Sequence, residues 1–180
     1  MKIRFDSISP RLISQRNAVH DLCRQFSRSP SKGNLKRLKA LFAACGESVF
    51  IEAGFHADYA QSIHLGDRVY ININCTILDG PEMADPSLAV HIGNDCLIGP
   101  NVQLLAVSHD MQADLRQTKK HNYVEAIHLS NNVWLGAGVI VLGGVHIGEN
   151  SVIGAGSIVT KNVDANSFYA GNPAKRIRSL

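Results

Sequence analysis

From Leu129 onward an aliphatic residue returns at every sixth position, as Leu129, Leu135, Val141, Ile147, Ile153 and Val159. A second track of Val133, Val139, Val145, Ser151, Ser157 and Val163 follows four residues behind it. A spacing of six fits neither the alternation of an exposed strand nor the turn of an α-helix. It fits a hexapeptide solenoid, a parallel β-helix of short strands and tight corners, with one aliphatic and one small or branched residue pointing inward per repeat. The gaps carry corner chemistry. Gly136, Gly148 and Gly154 each follow an inward aliphatic residue, and Asn131-Asn132, Gly143-Gly144 and Glu149-Asn150 supply residues suited to positive φ.

The same step occurs earlier, in Leu65, Ile71 and Ile77 and again in Ile92, Ile98 and Leu104. Two interruptions predict loops that leave the coil. One spans about 80–89 and holds Pro81, Asp85 and Pro86; the other spans about 106–126, is polar, and contains His109. A repetitive solenoid has little reason to extrude a long loop, so these excursions are the places to look for a site. Upstream, Ser9-Pro10 opens a helix with Leu12, Val19, Leu22, Cys23 and Phe26 on one face, and Leu35, Leu38, Leu41 and Phe42 predict a second, closed by Gly46. The expected organisation is a helical hairpin over 1–47, a β-helix over 48–168 and a short tail over 169–180.

Composition narrows the class. The chain has 180 residues, 45% of them hydrophobic, enough for a sizeable core, and no apolar run reaches the length of a membrane span. Its start runs from Met1-Lys2-Ile3-Arg4-Phe5-Asp6 into polar sequence rather than a signal-like apolar region, which predicts a cytoplasmic protein. The four cysteines form no CxxC pair, and Cys75 and Cys96 fall on the inward small-residue track, so packed thiols are expected. A net charge of +3 is too small to argue for nucleic acid, and basic residues gather instead near the C-terminus.

Several stretches together resemble one family, the maltose and galactoside O-acetyltransferases. They are Asn131-Asn132-Val133-Trp134-Leu135-Gly136, the run from Val152 to Lys161, and the ending Ala170-Gly171-Asn172-Pro173-Ala174-Lys175. Phe5-Asp6, Phe26, Phe55-His56-Ala57-Asp58-Tyr59, Ile63-His64-Leu65-Gly66-Asp67 and Tyr70-Ile71-Asn72 fall in the family's order. The resemblance covers nearly the whole chain. It implies a left-handed parallel β-helix assembled as a homotrimer, with acetyl-CoA as cosubstrate bound between subunits and a sugar or glycoside hydroxyl as acceptor.

The resemblance also implies roles for particular residues. His109, in Ala106-Val107-Ser108-His109-Asp110, takes the place of the catalytic histidine, a general base whose ordinary pKa lies near neutrality. Asn72 takes that of the residue whose amide stabilises the oxyanion. Asn72, Trp134, Ala137, Ala155, Thr160, Lys161, Lys175 and Arg178 form the implied cofactor set, the small residues along the pantetheine arm and the cations at the phosphates. Lys175 stands where the family has arginine. Asp6, Asp58 and Tyr70 match acceptor-contacting positions. Two departures bear on the acceptor: Gly80 stands where an acidic residue is expected after Asp79, and Asn122-Tyr123-Val124-Glu125-Ala126 lacks the family's loop glutamate in its place.

Other classes remain in view. A γ-class carbonic anhydrase shares the β-helix, but its zinc needs a His-x4-His pair, which is missing here, so no metal is expected. His91 and His109, and likewise His128 and His146, are one three-repeat coil apart, and His91, His128 and His146 read as a solvent-facing ladder. A non-catalytic solenoid scaffold is a further class, which would need neither the loop histidine nor a basic tail beside a glycine-lined groove. Among acceptors, an antibiotic, a polysaccharide or a serine hydroxyl stands as the alternative to a sugar.

Overall fold

The computed structural model describes residues 2–81, 89–118 and 121–180; the Asp85-Pro86 part of the first predicted loop lies outside them. The chain opens with β1 (Ile3–Phe5), α1 (Pro10–Arg28) and α2 (Lys32–Lys39). Coils of three short strands follow. They are β2 (Ala44–Cys45), β3 (Phe50–Ile51) and β4 (His56–Ala57), then β5 (Ile63–Leu65), β6 (Tyr70–Ile71) and β7 (Thr76–Leu78), then β8 (Val90–Ile92), β9 (Leu97–Ile98) and β10 (Gln103–Leu105). An excursion carries β11 (Val107–His109), α3 (Ala113–Thr118) and β12 (Asn122–Val124). Winding resumes with β13 (Ile127–Leu129), β14 (Trp134–Leu135) and β15 (Ile140–Leu142), then β16 (His146–Ile147), β17 (Val152–Ile153) and β18 (Ile158–Val159), and ends in β19 (Ser167–Ala170) and β20 (Lys175–Ser179).

Consecutive strands of the coil belong to different sheets. One has the order β16-β13-β8-β5-β2, the second β20-β19-β17-β14-β9-β6-β3 and the third β18-β15-β10-β7-β4, so each circuit of the chain visits three sides. Within them the coil strands pair in parallel, and register stacks the six-residue track into columns. Ile51, Ile71, Ile98, Leu135 and Ile153 form one column, and Leu65, Ile92, Leu129 and Ile147 another. All of these residues are buried. The second track is equally buried, and its polar members satisfy corner carbonyls. Ser151 Oγ donates to the Asp164 carbonyl at 2.6 Å, and the thiols of Cys75 and Cys96 lie 3.1 Å from the Gly99 and Ser130 carbonyls. Burial pushes both thiols up to about 11, as expected of packed cysteines.

The corners rest on asparagine. Asn74, Asn101, Asn132, Asn150 and Asn166 all have positive φ, and Asn132, Asn150 and Asn166 are joined side chain to side chain at 3.0 Å. Glycine is required where coils approach closely: a Cβ on Gly136 would lie 2.6 Å from the Ala155 backbone nitrogen.

Helix α1 buries Leu12, Val19, Cys23 and Phe26, starts with Pro10 in its first turn, and packs on α2. Helix α2 ends at Lys39, short of the predicted Leu41 and Phe42; Phe42 instead meets the Phe55 ring edge-on at 5.9 Å. Several boundaries differ from expectation. Winding begins at Ala44, and Gly46 sits close against Gly66 and Asp67 of the next coil, so it is a solenoid corner. The segment predicted as purely helical starts with a strand, and β1 joins β12 and β11 in an antiparallel sheet, Ile3 opposite Val124 and Val107 opposite Val124. The tail returns as β20, antiparallel to β19. His109 does not stack on His91. The chain leaves the coil after Leu105, which carries His109 into the β1-β12-β11 sheet, and His91 lies instead between His64 and His128, with ring centroids 4.4 and 4.8 Å away. Among the described residues no helix is long and apolar enough to cross a membrane.

Because Ile147 is fully buried between Leu129 of β13 and Val163, which bridges to it from the last circuit, truncation leaves a cavity that short hydrogen-bonded strands cannot close. Ile147→Ala is expected to destabilise the fold by about 2–5 kcal/mol, read as a lower urea midpoint. An Asn132→Gly variant, which keeps the positive φ, is expected to shift that midpoint far less.

Candidate functional site

The residue preceding each inward aliphatic points outward. On the seven-stranded sheet register therefore aligns Phe50, Tyr70, Leu97, Trp134, Val152 and Phe168 along one face. At the C-terminal end of that face is a groove of about 460 Å³, floored by Val152, Ile153 and Phe168 and flanked by Trp134, Ala137, Ala155 and Arg178. Half of the Trp134 surface is exposed. Next to the small walls, Gly138 and Gly156 take positive φ, with open space where a Cβ would stand. Strand β20 brings the chain end over the groove. The Arg178 guanidinium lies 5.9 Å from the Phe168 ring centroid, and Leu180 completes the lining. Thr160 and Lys161 are exposed beyond β18, and Lys175 is exposed at the start of β20; these three are outside the groove wall. An apolar channel with a cationic end suits a long ligand with an apolar arm and an anionic terminus.

His109 is the last residue of β11, opposite Asn122 and exposed. The turn after it is tied to the N-terminus. The Tyr123 hydroxyl donates to Asp110 and accepts from Arg4 Nε at 2.8 Å, while Arg4 Nη2 is 3.6 Å from the Asp110 carboxylate. That bond to Asp110, with burial, raises the Tyr123 phenol above its ordinary value. Arg116 Nη1 donates to the Asp110 and Met111 carbonyls, both at 2.8 Å. A cleft of about 220 Å³ lies beside His109, lined by Leu105, Val107, Ser108, Glu125, Leu142 and Gly143. Glu125 pairs with Lys2 at 3.3 Å.

Asn72 occupies the corner after β6, where its side-chain oxygen accepts from the Ile73 N–H at 2.8 Å. Tyr70 stacks on Phe50 at 5.7 Å and donates to Glu52. Asp6 shapes the turn into α1: its carboxylate accepts from the Ile8 N–H and its carbonyl from the Ser9 N–H. Asp58 is engaged by two histidines, with His20 Nε2 at 3.1 Å and His56 Nε2 at 3.8 Å from one carboxylate oxygen. Burial alone would raise Asp58, but hydrogen bonds from His56 and His20 outweigh it and hold the carboxyl below its ordinary value. Behind it, the fully buried Asp79 accepts from the Asp58 and Tyr59 N–H groups, and burial pushes its carboxyl up to about 7.

The structure thus gathers Trp134, Ala137, Ala155 and Arg178 into one groove and puts His109, Asn72, Asp58 and Asp6 on four separate elements. Sequence reasoning missed His20, Phe168 and Leu180 as neighbours of these residues, and the Arg4–Tyr123–Asp110 tie. Only His56 left a signal, since it lies two residues before Asp58, on the same side of an extended segment.

Comparison with known proteins agrees with this architecture. The bacterial transferase hexapeptide family (six repeats) matches residues 126–161. The galactoside O-acetyltransferase of Lactococcus lactis is 39% identical over 157 residues, 87% of this chain and 72% of the relative. A galactoside acetyltransferase solved in complex with coenzyme A superposes with a TM-score of 0.88 at 37% identity, covering 98% of this chain and 86% of that one. A hexapeptide-repeat acetyltransferase from Vibrio cholerae, solved with acetyl coenzyme A, gives a TM-score of 0.87 at 30% identity over 98% and 92% of the two chains. With its solenoid and outer groove accounted for, the chain belongs to the hexapeptide-repeat acetyltransferases, the family of the galactoside O-acetyltransferases.

Proposed function

We propose that this chain moves the acetyl group of acetyl-CoA to a hydroxyl of a sugar or glycoside, within a left-handed β-helical homotrimer whose sites lie between subunits. The observation that carries the reading is the groove: Trp134, Ala137, Ala155 and Arg178, four of the eight residues the resemblance assigns to the cofactor, line one cavity. Its apolar floor suits the pantetheine arm. Arg178, Lys175 and Lys161 supply cations for the phosphates, with Thr160 beside them. Relatives solved with coenzyme A and acetyl coenzyme A support that ligand.

Acetyl transfer needs a nucleophile, a proton acceptor and an oxyanion donor. In this reading the acceptor hydroxyl oxygen attacks the thioester carbonyl while an unprotonated His109 ring nitrogen takes the hydroxyl proton. The carbonyl oxygen then carries the negative charge, and the Asn72 amide NH2 is the donor directed to it. Collapse breaks the C–S bond, and the proton held by His109 passes to the departing thiolate, leaving an acetyl ester and free CoA. The Asp110–Tyr123–Arg4 tie serves this step by fixing the turn that follows His109. Tyr70, Asp6 and Asp58 make the acceptor wall in this reading, and a sugar matches carboxylates that can each accept more than one hydroxyl.

The base is tested by His109→Ala. Acetyl transfer to a galactoside is expected to fall about 10²-fold or more in kcat, with the acetyl-CoA Kd nearly unchanged; normal turnover removes His109 from the chemistry. The cofactor end is tested by Lys175→Ala combined with Arg178→Ala. Charge-assisted phosphate bonds contribute about 1.5–3 kcal/mol each, so the acetyl-CoA KM is expected to rise at least tenfold or so while the acceptor KM holds. Discrimination between CoA and 3′-dephospho-CoA should shrink in parallel. Equal damage to both substrates would mark a folding defect instead.

A further inference from the structure

Helix α1, strand β4 and the corner after β4 bring together three side chains that can each ligate a metal ion. His20, His56 and Asp58 each present a ligand atom, and these atoms all lie within 4.8 Å of one another. We propose that His20, His56 and Asp58 form a divalent transition-metal site of the zinc class, which clamps α1 onto the solenoid. Acetyl transfer does not require the ion; the site lies outside the cofactor groove and shares Asp58 with the acceptor wall proposed above.

Geometry supports the set. Four-coordinate zinc with ligand bonds of about 2.0–2.2 Å separates neighbouring ligand atoms by roughly 3.4 Å. The Asp58 oxygen lies 3.1 Å from His20 Nε2 and 3.8 Å from His56 Nε2, on either side of that value. The two imidazole rings have centroids 4.5 Å apart and are tilted by 46° rather than stacked. Two neutral imidazoles and one carboxylate make a borderline donor set that favours zinc, cobalt, nickel or copper over calcium or magnesium.

The surroundings fit as well. The three side chains are half-buried, so desolvation is moderate while solvent keeps access. Asp79 holds the backbone N–H of Asp58, and with the Tyr59 N–H and the Ser62 hydroxyl it fixes the corner from which Asp58 projects. A cavity of about 200 Å³ lined by Cys23, Ser27, Gly54 and His56 opens beside the cluster. Arg24 and Arg28 also border that cavity, the Arg24 guanidinium being paired with Asp21. An ion there displaces the direct contacts between the two Nε2 atoms and Asp58, each imidazole binding as its Nδ1–H tautomer, and joins helix to coil through coordination bonds.

The test is titration of the metal-free full chain with zinc chloride by calorimetry, together with the visible spectrum of the cobalt-loaded chain. Expected are one tight ion per chain, a tetrahedral-type cobalt band, and a thermal midpoint that rises with zinc and falls back with EDTA. His20→Ala and Asp58→Ala should each weaken binding at least about tenfold. His128→Gln, on the separate surface ladder, should leave the tight site intact. Because the wild-type stoichiometry and cobalt spectrum need no variant, misfolding of a variant cannot shield the proposal. Absence of tight binding by the wild-type chain overturns it. So does binding that persists in a folded His20→Ala chain, or that disappears with His128→Gln.

Discussion

Hydrogen bonding between successive coils is the constraint on which the rest of this molecule depends. The solenoid strands are two or three residues long, too short to stand alone or in pairs. Each becomes a strand because the circuits before and after it supply its partners, and the same register stacks the aliphatic columns. Stability in such an object is a sum of neighbour terms, so the two ends need different treatment from the middle. Helix α1 with α2 covers the first circuit, and the β19–β20 hairpin finishes the last.

That repetition explains what was legible in the sequence. Inward positions recur at a fixed step, so Leu129 through Val159 predict both a coil and its core, and Cys75 and Cys96 can be placed inside it. Register across an interruption is not legible in the same way. His91 and His109 share the spacing of stacked residues, yet the exit from the coil after Leu105 puts them on different elements. Strand β1 escaped notice because three residues carry no period, and its partner β12 lies at the far end of the chain's second excursion.

The candidate site divides along the same line. Ala137 and Ala155 sit at equivalent places on successive circuits, as Trp134 and Val152 do, so the repeat itself predicts that each pair adjoins. Arg178, Phe168 and Leu180 reach the groove through an antiparallel hairpin that no six-residue count anticipates. The His20–His56–Asp58 cluster depends on where α1 lands against the coil, a matter of tertiary packing by Val19, Cys23 and Phe26. Local repetition is written in the sequence in plain form; docking of unlike elements is not.

The attachment of β1 to the second excursion gives the molecule two clocks. Circuits of the solenoid pair with near neighbours, and contacts of short sequence separation form early. The strand that ends in His109 is ordered by Arg4 through Tyr123, a hydrogen bond across 119 positions of chain. Closing so long a loop carries an entropy cost that the coil itself never meets. The solenoid can therefore be complete while the His109 turn is still unfastened. During synthesis the N-terminal strand has to wait for more than half of the chain to emerge before it finds its place.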